Sequence, residues 1–182
     1  MNFEKVVANL KAVVEASRDK RLLPYYAEYL VALRLKELGH DVEILKKRRG
    51  PDIFDKTVNA QIEVKSSSID LDEWACAASF YQGASIKKQN FDYCVFVVFK
   101  DFEPWEYLVF SIEELGEIAE KPRPYPITAF RNNPCVLFRY GSLQKYENAF
   151  PNVEDRLNIE LKHHQNPGEF RDRWDKIKSK KQ

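Results

Sequence analysis

The stretch PDIFDKTVNAQIEVK, residues 51–65, decides the fold around which the rest of the chain is organised. Its second half alternates between apolar and polar residues, which is the pattern of a strand with one buried face. Ile62 and Val64 then lie on one face, and Glu63 and Lys65 lie on the other. The sequence therefore predicts a strand that packs with one face and presents a carboxylate and an ammonium group with the other.

The first part of the same stretch predicts a second short strand over residues 51–55. The residues that follow it, 57–60, are few enough to turn the chain back into an antiparallel hairpin. Such a hairpin would bring Asp52 near Glu63. Two carboxylates with a lysine close by suit a hard divalent cation and a polarised water, because Mg²⁺ takes oxygen ligands and few protein carboxylates.

The pattern Pro51-Asp52, ten intervening residues and Glu63-Val64-Lys65 resembles the motif of the PD-(D/E)xK nuclease superfamily, which has the restriction-endonuclease-like fold. The resemblance implies a Mg²⁺-dependent DNA endonuclease, with Mn²⁺ as a substitute metal and products that carry a 5′ phosphate. It implies Asp52 and Glu63 as metal ligands, the main-chain carbonyl of Val64 as a further ligand, and Lys65 beside the attacking water. No small-molecule cofactor is expected.

A second E-x-K pattern, at Glu160 and Lys162, serves as an internal control. Apolar residues recur around it at helical spacing, at Val153, Leu157 and Leu161, and no proline-aspartate hairpin precedes it. On a helix the two charged side chains diverge. We therefore interpret the second pattern as part of a solvated helix.

Helical spacing of apolar residues predicts two helices before the hairpin, over residues 2–18 and 24–38. Glu28 falls inside an apolar arc on the second helix. The arc consists of Ala27, Val31, Ala32, Leu35 and Leu38. A carboxylate on an inward face is costly unless it is paired or bound to a metal. Glu28 is then either a structural ion-pair or hydrogen-bond partner, or a residue directed at the metal, as a helical glutamate often is in the superfamily; we favour the second interpretation.

Around the hairpin, the chain predicts a strand over residues 41–45, a helix over 72–89 and a buried strand over 91–99. The order over residues 24–99 is then helix, three strands, helix and strand. This is the core succession of the superfamily, so the resemblance implies an α/β fold with a restriction-endonuclease-like three-layer core (α-β-β-β-α-β) and a mixed central sheet.

Residues 100–182 are expected to elaborate this core with further strands and with C-terminal helical additions. The strands are predicted over 106–110 and 135–140, and the helices over 112–119, 152–165 and 169–178. We expect residues 1–182 to form one nuclease domain, because 182 residues suffice for one well-buried core and are few for two.

Composition excludes several classes of protein. Hydrophobic residues make up 44% of the chain and aromatic residues 13%, which excludes a disordered chain. No uncharged apolar run reaches membrane-spanning length, and the first twenty residues are charged where a signal peptide would be apolar, so we expect a cytoplasmic protein without a membrane partner. Cys76, Cys94 and Cys135 lack zinc spacing and are expected to be buried free thiols.

The formal net charge of +1 gives no overall attraction to nucleic acid, so positive charge has to act locally. The run Lys46, Lys47, Arg48 and Arg49 lies immediately before the proposed site. It is either a solvated loop or a set of DNA phosphate contacts. Ser66 and Ser67, directly after the motif, are further candidates for phosphate contacts, or they end the strand in water.

Three functions remain open at this point. We favour a type II restriction-like enzyme acting on double-stranded DNA, because some eighty residues follow the core and offer room for base readout. A structure-specific nuclease such as a Holliday-junction resolvase shares the same core, and a catalytically silent nucleic-acid-binding domain would retain the fold. Either nuclease is expected to be a homodimer, since two DNA strands need two active sites.

Overall fold

The structure is a computed structural model that describes residues 2–45, 50–69, 76–79, 90–119, 135–138 and 167–178. Its helices are α1 (Phe3–Ser17), α2 (Leu23–Glu37) and α3 (Ile112–Ala119). Its strands are β1 (Val42–Ile44), β2 (Ile53–Asp55), β3 (Ala60–Ile69), β4 (Cys76–Ser79), β5 (Tyr93–Lys100), β6 (Glu103–Ser111) and β7 (Cys135–Phe138). Short 3-10 helices lie at Lys20–Leu22, Pro167–Glu169 and Trp174–Lys176.

Both N-terminal helices begin and end within one residue of the predicted bounds. The side chain of Asn2 caps α1 by accepting the N–H of Lys5 at 3.0 Å. Pro24 lies in the first turn of α2, where its missing N–H costs nothing. Gly39 follows this helix with φ +91°, a left-handed conformation that glycine adopts without a steric penalty.

A five-stranded mixed sheet forms the centre of the described structure, in the order β1-β2-β3-β5-β6. Strands β3 and β5 are parallel, whereas the other neighbouring pairs are antiparallel. The predicted hairpin is therefore present, with Ile53 opposite Ile62 and Asp55 opposite Ala60. The predicted α/β class and the mixed central sheet are confirmed.

The main hydrophobic cluster lies on one face of this sheet, where α1 and α2 pack. Ile62 and Val64 of β3 belong to it, together with Val95 and Val97 of β5. Because side chains alternate along a strand, Glu63 and Lys65 lie on the opposite face. On that face of β5 and β6, the rings of Phe96 and Phe110 pack edge to face at 5.5 Å.

One predicted helix is wrong in the part that the structure describes. Residues 72–89 were expected to be helical, but Cys76–Ser79 form strand β4, which pairs antiparallel with β7 in a separate two-stranded sheet. Alanine, which recurs in this segment, has the highest helix propensity of all residues. Pairing with a strand some sixty residues later overrides that preference, because a backbone ladder satisfies the same N–H and C=O groups.

The predicted C-terminal helix over 169–178 is also wrong. Phe170 and Trp174 have helical spacing, but the chain runs along the edge of β6. The N–H of Val109 donates to the carbonyl of Phe170 at 2.9 Å, and the N–H of Asp172 donates to the carbonyl of Tyr107 at 2.8 Å. The segment therefore supplies main-chain hydrogen-bond partners to β6, the edge strand of the sheet. The predicted helix over 152–165 lies outside the described residues.

Two smaller expectations concern α2 and the cysteines. Leu38 was placed in the inward arc of α2, but 45% of its surface is exposed because the helix ends at Glu37. Cys94 is a buried free thiol, as predicted. The side chains of Cys76 and Cys135 lie outside the described part of the chain.

Within the described residues, no helix combines the length and apolar character needed to span a lipid bilayer.

Candidate active site

The carboxylate of Asp52 is held against β3 by its own main chain and side chain. Its N–H donates to the carbonyl of Ile62 at 3.0 Å, next to the last paired residues of the hairpin. Its Oδ2 accepts the N–H of Val64 at 2.7 Å. The side chain thus provides an acceptor for a β3 N–H at the residue that precedes β2. This bond ties the carboxylate to the main chain between Glu63 and Lys65.

Glu63 and Lys65 lie two residues apart on the same face of β3 and form an ion pair. The side chain of Glu63 is 5% exposed and that of Lys65 is 22% exposed. The lysine therefore reaches from a buried carboxylate towards the solvent. The alternating sequence predicted a polar face on β3. In the structure this face carries the ion pair of Glu63 and Lys65, beside Asp52.

Burial raises the pKa of the Asp52 carboxyl above its ordinary value, against the lowering effects of the Val64 N–H and the Lys65 ammonium. Burial also raises the pKa of Glu63, opposed by its contact with Lys65 and reinforced by the negative charge of Asp52. Two carboxylates that share a desolvated site resist ionisation together, and a bound cation relieves that cost. The electrostatics therefore favour a cation at this position.

The pKa of Lys65 is raised, although burial by itself would lower it. The negative charges of Glu63 and Asp52 outweigh the desolvation of the ammonium group. Lys65 is therefore a protonated hydrogen-bond donor in this site. A protonated lysine orients a water or a phosphate oxygen and does not remove a proton from it.

Glu28 reaches this group of charges from α2. Its carboxyl is half-buried, and burial first, then the charges of Asp52 and Glu63, raise its pKa to about 7, against the opposing effect of Lys65. Glu28 therefore lies close enough to Asp52, Glu63 and Lys65 to respond to their charges. The sequence left two interpretations of Glu28, a structural ion-pair or hydrogen-bond partner and a residue directed at a metal. Its position beside the other three residues is compatible with both.

Cys94 was not expected at this site. It is the register partner of Glu63 on the parallel strand β5, so both side chains lie on the same face of the sheet. Burial raises the pKa of its thiol well above the ordinary value, and the charges of Glu63 and Asp52 add to this effect. Cys94 is therefore a neutral thiol beside the ion pair of Glu63 and Lys65. Register between two separate strands carries no local sequence signal.

The carboxylate oxygens of Asp52 and Glu63 fit a hard cation such as Mg²⁺. Within the described residues, no group of three His, Cys, Asp or Glu side chains lies close enough together to hold a metal ion. Asp52 and Glu63 provide two carboxylates, which matches the one or two that Mg²⁺ usually takes from a protein. The N–H and C=O of a strand residue point to the same side, so the carbonyl of Val64 faces the strand edge that Asp52 occupies.

The remaining predicted contact residues divide into two groups. Lys46, Lys47, Arg48 and Arg49 lie outside the described residues. Ser66 and Ser67 belong to β3, which runs to Ile69, so they do not end the strand. Ser67 is buried on the same face as Lys65, whereas Ser66 faces the other side of the sheet.

No protein-family model matches the chain, and no curated protein matches it. Among solved structures, a bacterial homing endonuclease is similar, with 19% sequence identity and a TM-score of 0.41. The match covers 52% of this chain and 67% of that protein. A likeness of this size carries no argument about the family or the activity of the chain.

Proposed function

We propose that the protein is a Mg²⁺-dependent DNA endonuclease of the PD-(D/E)xK superfamily with the restriction-endonuclease-like three-layer core. The observation that carries this proposal is the hydrogen bond from the Val64 N–H to the Asp52 carboxylate. This bond joins the proline-aspartate and E-x-K parts of the motif in space. A chance motif in a charged chain would give no reason for the two parts to meet.

Asp52 and Glu63 would hold the metal, with the carbonyl of Val64 as a further oxygen ligand. When bound, Mg²⁺ supplies positive charge to phosphate oxygens and polarises water. The Oδ2 atom of Asp52 is engaged by the Val64 N–H, so Oδ1 is the atom left to face a cation. The buried position of Glu63 fixes its carboxylate before substrate arrives, which lowers the reorganisation needed for catalysis.

Lys65 would position the attacking water and donate to the scissile phosphate. Its raised pKa supports this role over that of a general base. Glu28 would assist through a water, because it does not form a group of three ligands with Asp52 and Glu63 among the described residues. In the metal-free site, burial and the charges of Asp52 and Glu63 raise the pKa of Glu28 to about 7.

The substrate would be double-stranded DNA, with phosphate contacts from the basic run at residues 46–49. A type II restriction-like enzyme working as a homodimer remains our preferred form, with Mn²⁺ as a substitute metal.

The test is cleavage of three substrates: a supercoiled plasmid, a long linear DNA and a four-way junction. Each is incubated with purified protein in Mg²⁺ or in EDTA. The Lys65→Ala variant removes the proposed water-positioning group, and Lys162→Ala removes the lysine of the second E-x-K pattern as a matched control. We expect Mg²⁺-dependent cutting by the wild type and by Lys162→Ala, and at least a 100-fold loss of cleavage rate in Lys65→Ala.

The products distinguish the alternatives. Discrete fragments from linear DNA support the restriction-like enzyme, and cutting confined to the junction supports a resolvase. Retained cleavage by Lys65→Ala would refute the assignment of the site. Binding of DNA without cleavage by any form of the protein would favour the silent nucleic-acid-binding domain.

A further inference from the structure

Gln61, near the start of β3, carries a buried oxygen atom that lacks a hydrogen-bond donor. Its side-chain Oε1 is buried and has no hydrogen-bond partner within the described residues. The residue as a whole is partly exposed, so solvent is available to its side chain, and yet the oxygen faces inward. A buried acceptor without a donor lowers the stability of a fold. Packing of the described chain therefore does not account for the direction of this oxygen.

The position of Gln61 on β3 puts its side chain next to the candidate active site. Gln61 and Glu63 are two residues apart on one strand, so their side chains lie on the same face, about 6.6 Å apart along the strand. Lys65 follows at the same spacing. Glu63 therefore has Gln61 as its neighbour on one side and Lys65 on the other.

Asp92 fixes the main chain of Gln61. The N–H of Gln61 donates to Oδ2 of Asp92 at 2.8 Å, and its carbonyl accepts the N–H of Asp92 at 2.7 Å. Asp92 directly precedes β5, so these bonds lie at the edge of β3 opposite to the one where Asp52 bonds to Val64. Both edges of β3 are thus held by an aspartate, and the Gln61 side chain extends from a fixed point beside Glu63.

A hydrated cation brings the kind of donor that the Gln61 oxygen lacks. Asp52, Glu63 and the carbonyl of Val64 offer fewer oxygens than the octahedral shell of Mg²⁺ holds, so several positions remain with water. The O–H groups of these waters need acceptors on the protein. A third carboxylate, that of Glu28, already interacts with the charges of Asp52 and Glu63. A neutral amide oxygen adds an acceptor without adding negative charge.

We propose that Gln61 is a positioning residue for the metal, and that its Oε1 accepts a hydrogen bond from a water bound to the cation at Asp52 and Glu63. This inference rests on the proposed nuclease function and adds a residue to the same site. Protein groups that support a metal site through hydrogen bonds, without touching the ion, commonly change metal affinity about 10- to 100-fold.

Binding of Mn²⁺ in the absence of DNA tests the proposal, with the electron paramagnetic resonance signal of free Mn²⁺ as the readout. Gln61→Met nearly keeps the length of the side chain but removes the acceptor, and we expect it to weaken Mn²⁺ binding about 10-fold. Gln61→Glu keeps an oxygen acceptor and loses the NH₂ donors, so it should bind Mn²⁺ at least as tightly as the wild type. Asp52→Asn, which alters a proposed ligand, is the control for damage to the site itself.

Two further measurements separate this role from a structural one. In urea titrations with EDTA, Gln61→Met should unfold at the same urea concentration as the wild type or a higher one, because the metal-free protein loses no bond to Oε1 within its described residues. In cleavage assays, Gln61→Met should recover the wild-type rate as Mg²⁺ is raised, because it retains Asp52, Glu63 and Lys65. Lys65→Ala should not recover.

Four results would overturn the inference. Equal Mn²⁺ affinities of the wild type and Gln61→Met would remove the contact while leaving the nuclease assignment intact. A lower urea midpoint for Gln61→Met in EDTA would assign Gln61 to the fold instead. Equal losses of affinity in Gln61→Met and Gln61→Glu would assign the effect to the NH₂ group. A wild-type protein that neither binds Mn²⁺ nor cuts DNA would refute the proposed function, and this inference with it.

Discussion

Replacing Glu28 with glutamine should change how the stability of the metal-free protein depends on pH. In the folded protein the pKa of Glu28 is about 7, compared with an ordinary value of 4.5. A carboxyl with a raised pKa holds its proton more tightly in the folded state than in the unfolded state. Its contribution to stability is therefore complete below pH 4.5 and is lost as the pH rises through 7.

The size of the effect follows from the two pKa values of Glu28. At 1.36 kcal/mol per pH unit, a change from 4.5 to about 7 corresponds to at most about 3.4 kcal/mol. Partial exposure of the carboxyl lets solvent screen its interactions, which reduces the expected loss to about 2 kcal/mol. About three quarters of this loss, about 1.5 kcal/mol, falls between pH 5 and pH 8.

Urea denaturation in EDTA at pH 5 and pH 8 measures this difference. We expect the free energy of unfolding of the wild type to fall about 1.5 kcal/mol further over this range than that of Glu28→Gln. Glu37→Gln, on the exposed side of α2 and paired with Arg34 at 3.0 Å, is the control and should behave as the wild type does. Identical pH profiles for the wild type and Glu28→Gln would refute the electrostatic account of Glu28.

Three further predictions follow from other contacts. Asp52→Asn retains an oxygen for its hydrogen bond to β3 but loses a charge, so Mg²⁺ at about 100 times its dissociation constant should stabilise the wild type by about 2.7 kcal/mol and the variant by much less in thermal melts. Asp55 is fully buried and bonded to His40 Nδ1 at 2.6 Å and to the N–H of Thr57 at 3.0 Å, so Asp55→Ala leaves both groups without this partner and should lower the free energy of unfolding by about 2–4 kcal/mol in urea titrations. Arg171→Met leaves the buried carboxylate of Glu106 without its ion-pair partner and should cost about 3 kcal/mol; pairing it with Glu106→Gln in a double-mutant cycle should recover part of that cost, and additive effects would contradict the pairing.

The local pattern of the sequence was sufficient for the elements around the site. Apolar spacing of 3.6 residues located α1 and α2 to within one residue, and alternation over residues 61–66 assigned Glu63 and Lys65 to one face of β3. These features depend on backbone torsion preferences and on side-chain periodicity, which neighbouring residues encode. The same reasoning failed for Cys76–Ser79 and for residues 169–178, because distant strands pair with them.

Residues 51–65 by themselves determined the hairpin and the charged face of β3, because strand alternation and a short turn are properties of consecutive residues. Only the tertiary structure decided that Asp52 bonds to Val64, that Cys94 lies beside Glu63, and that Glu28 interacts with the charges of Asp52, Glu63 and Lys65. Each of these relations depends on register between strands or on the packing of a helix against a sheet. Such relations are set by the summed contacts of the whole core, so no short stretch of sequence encodes them.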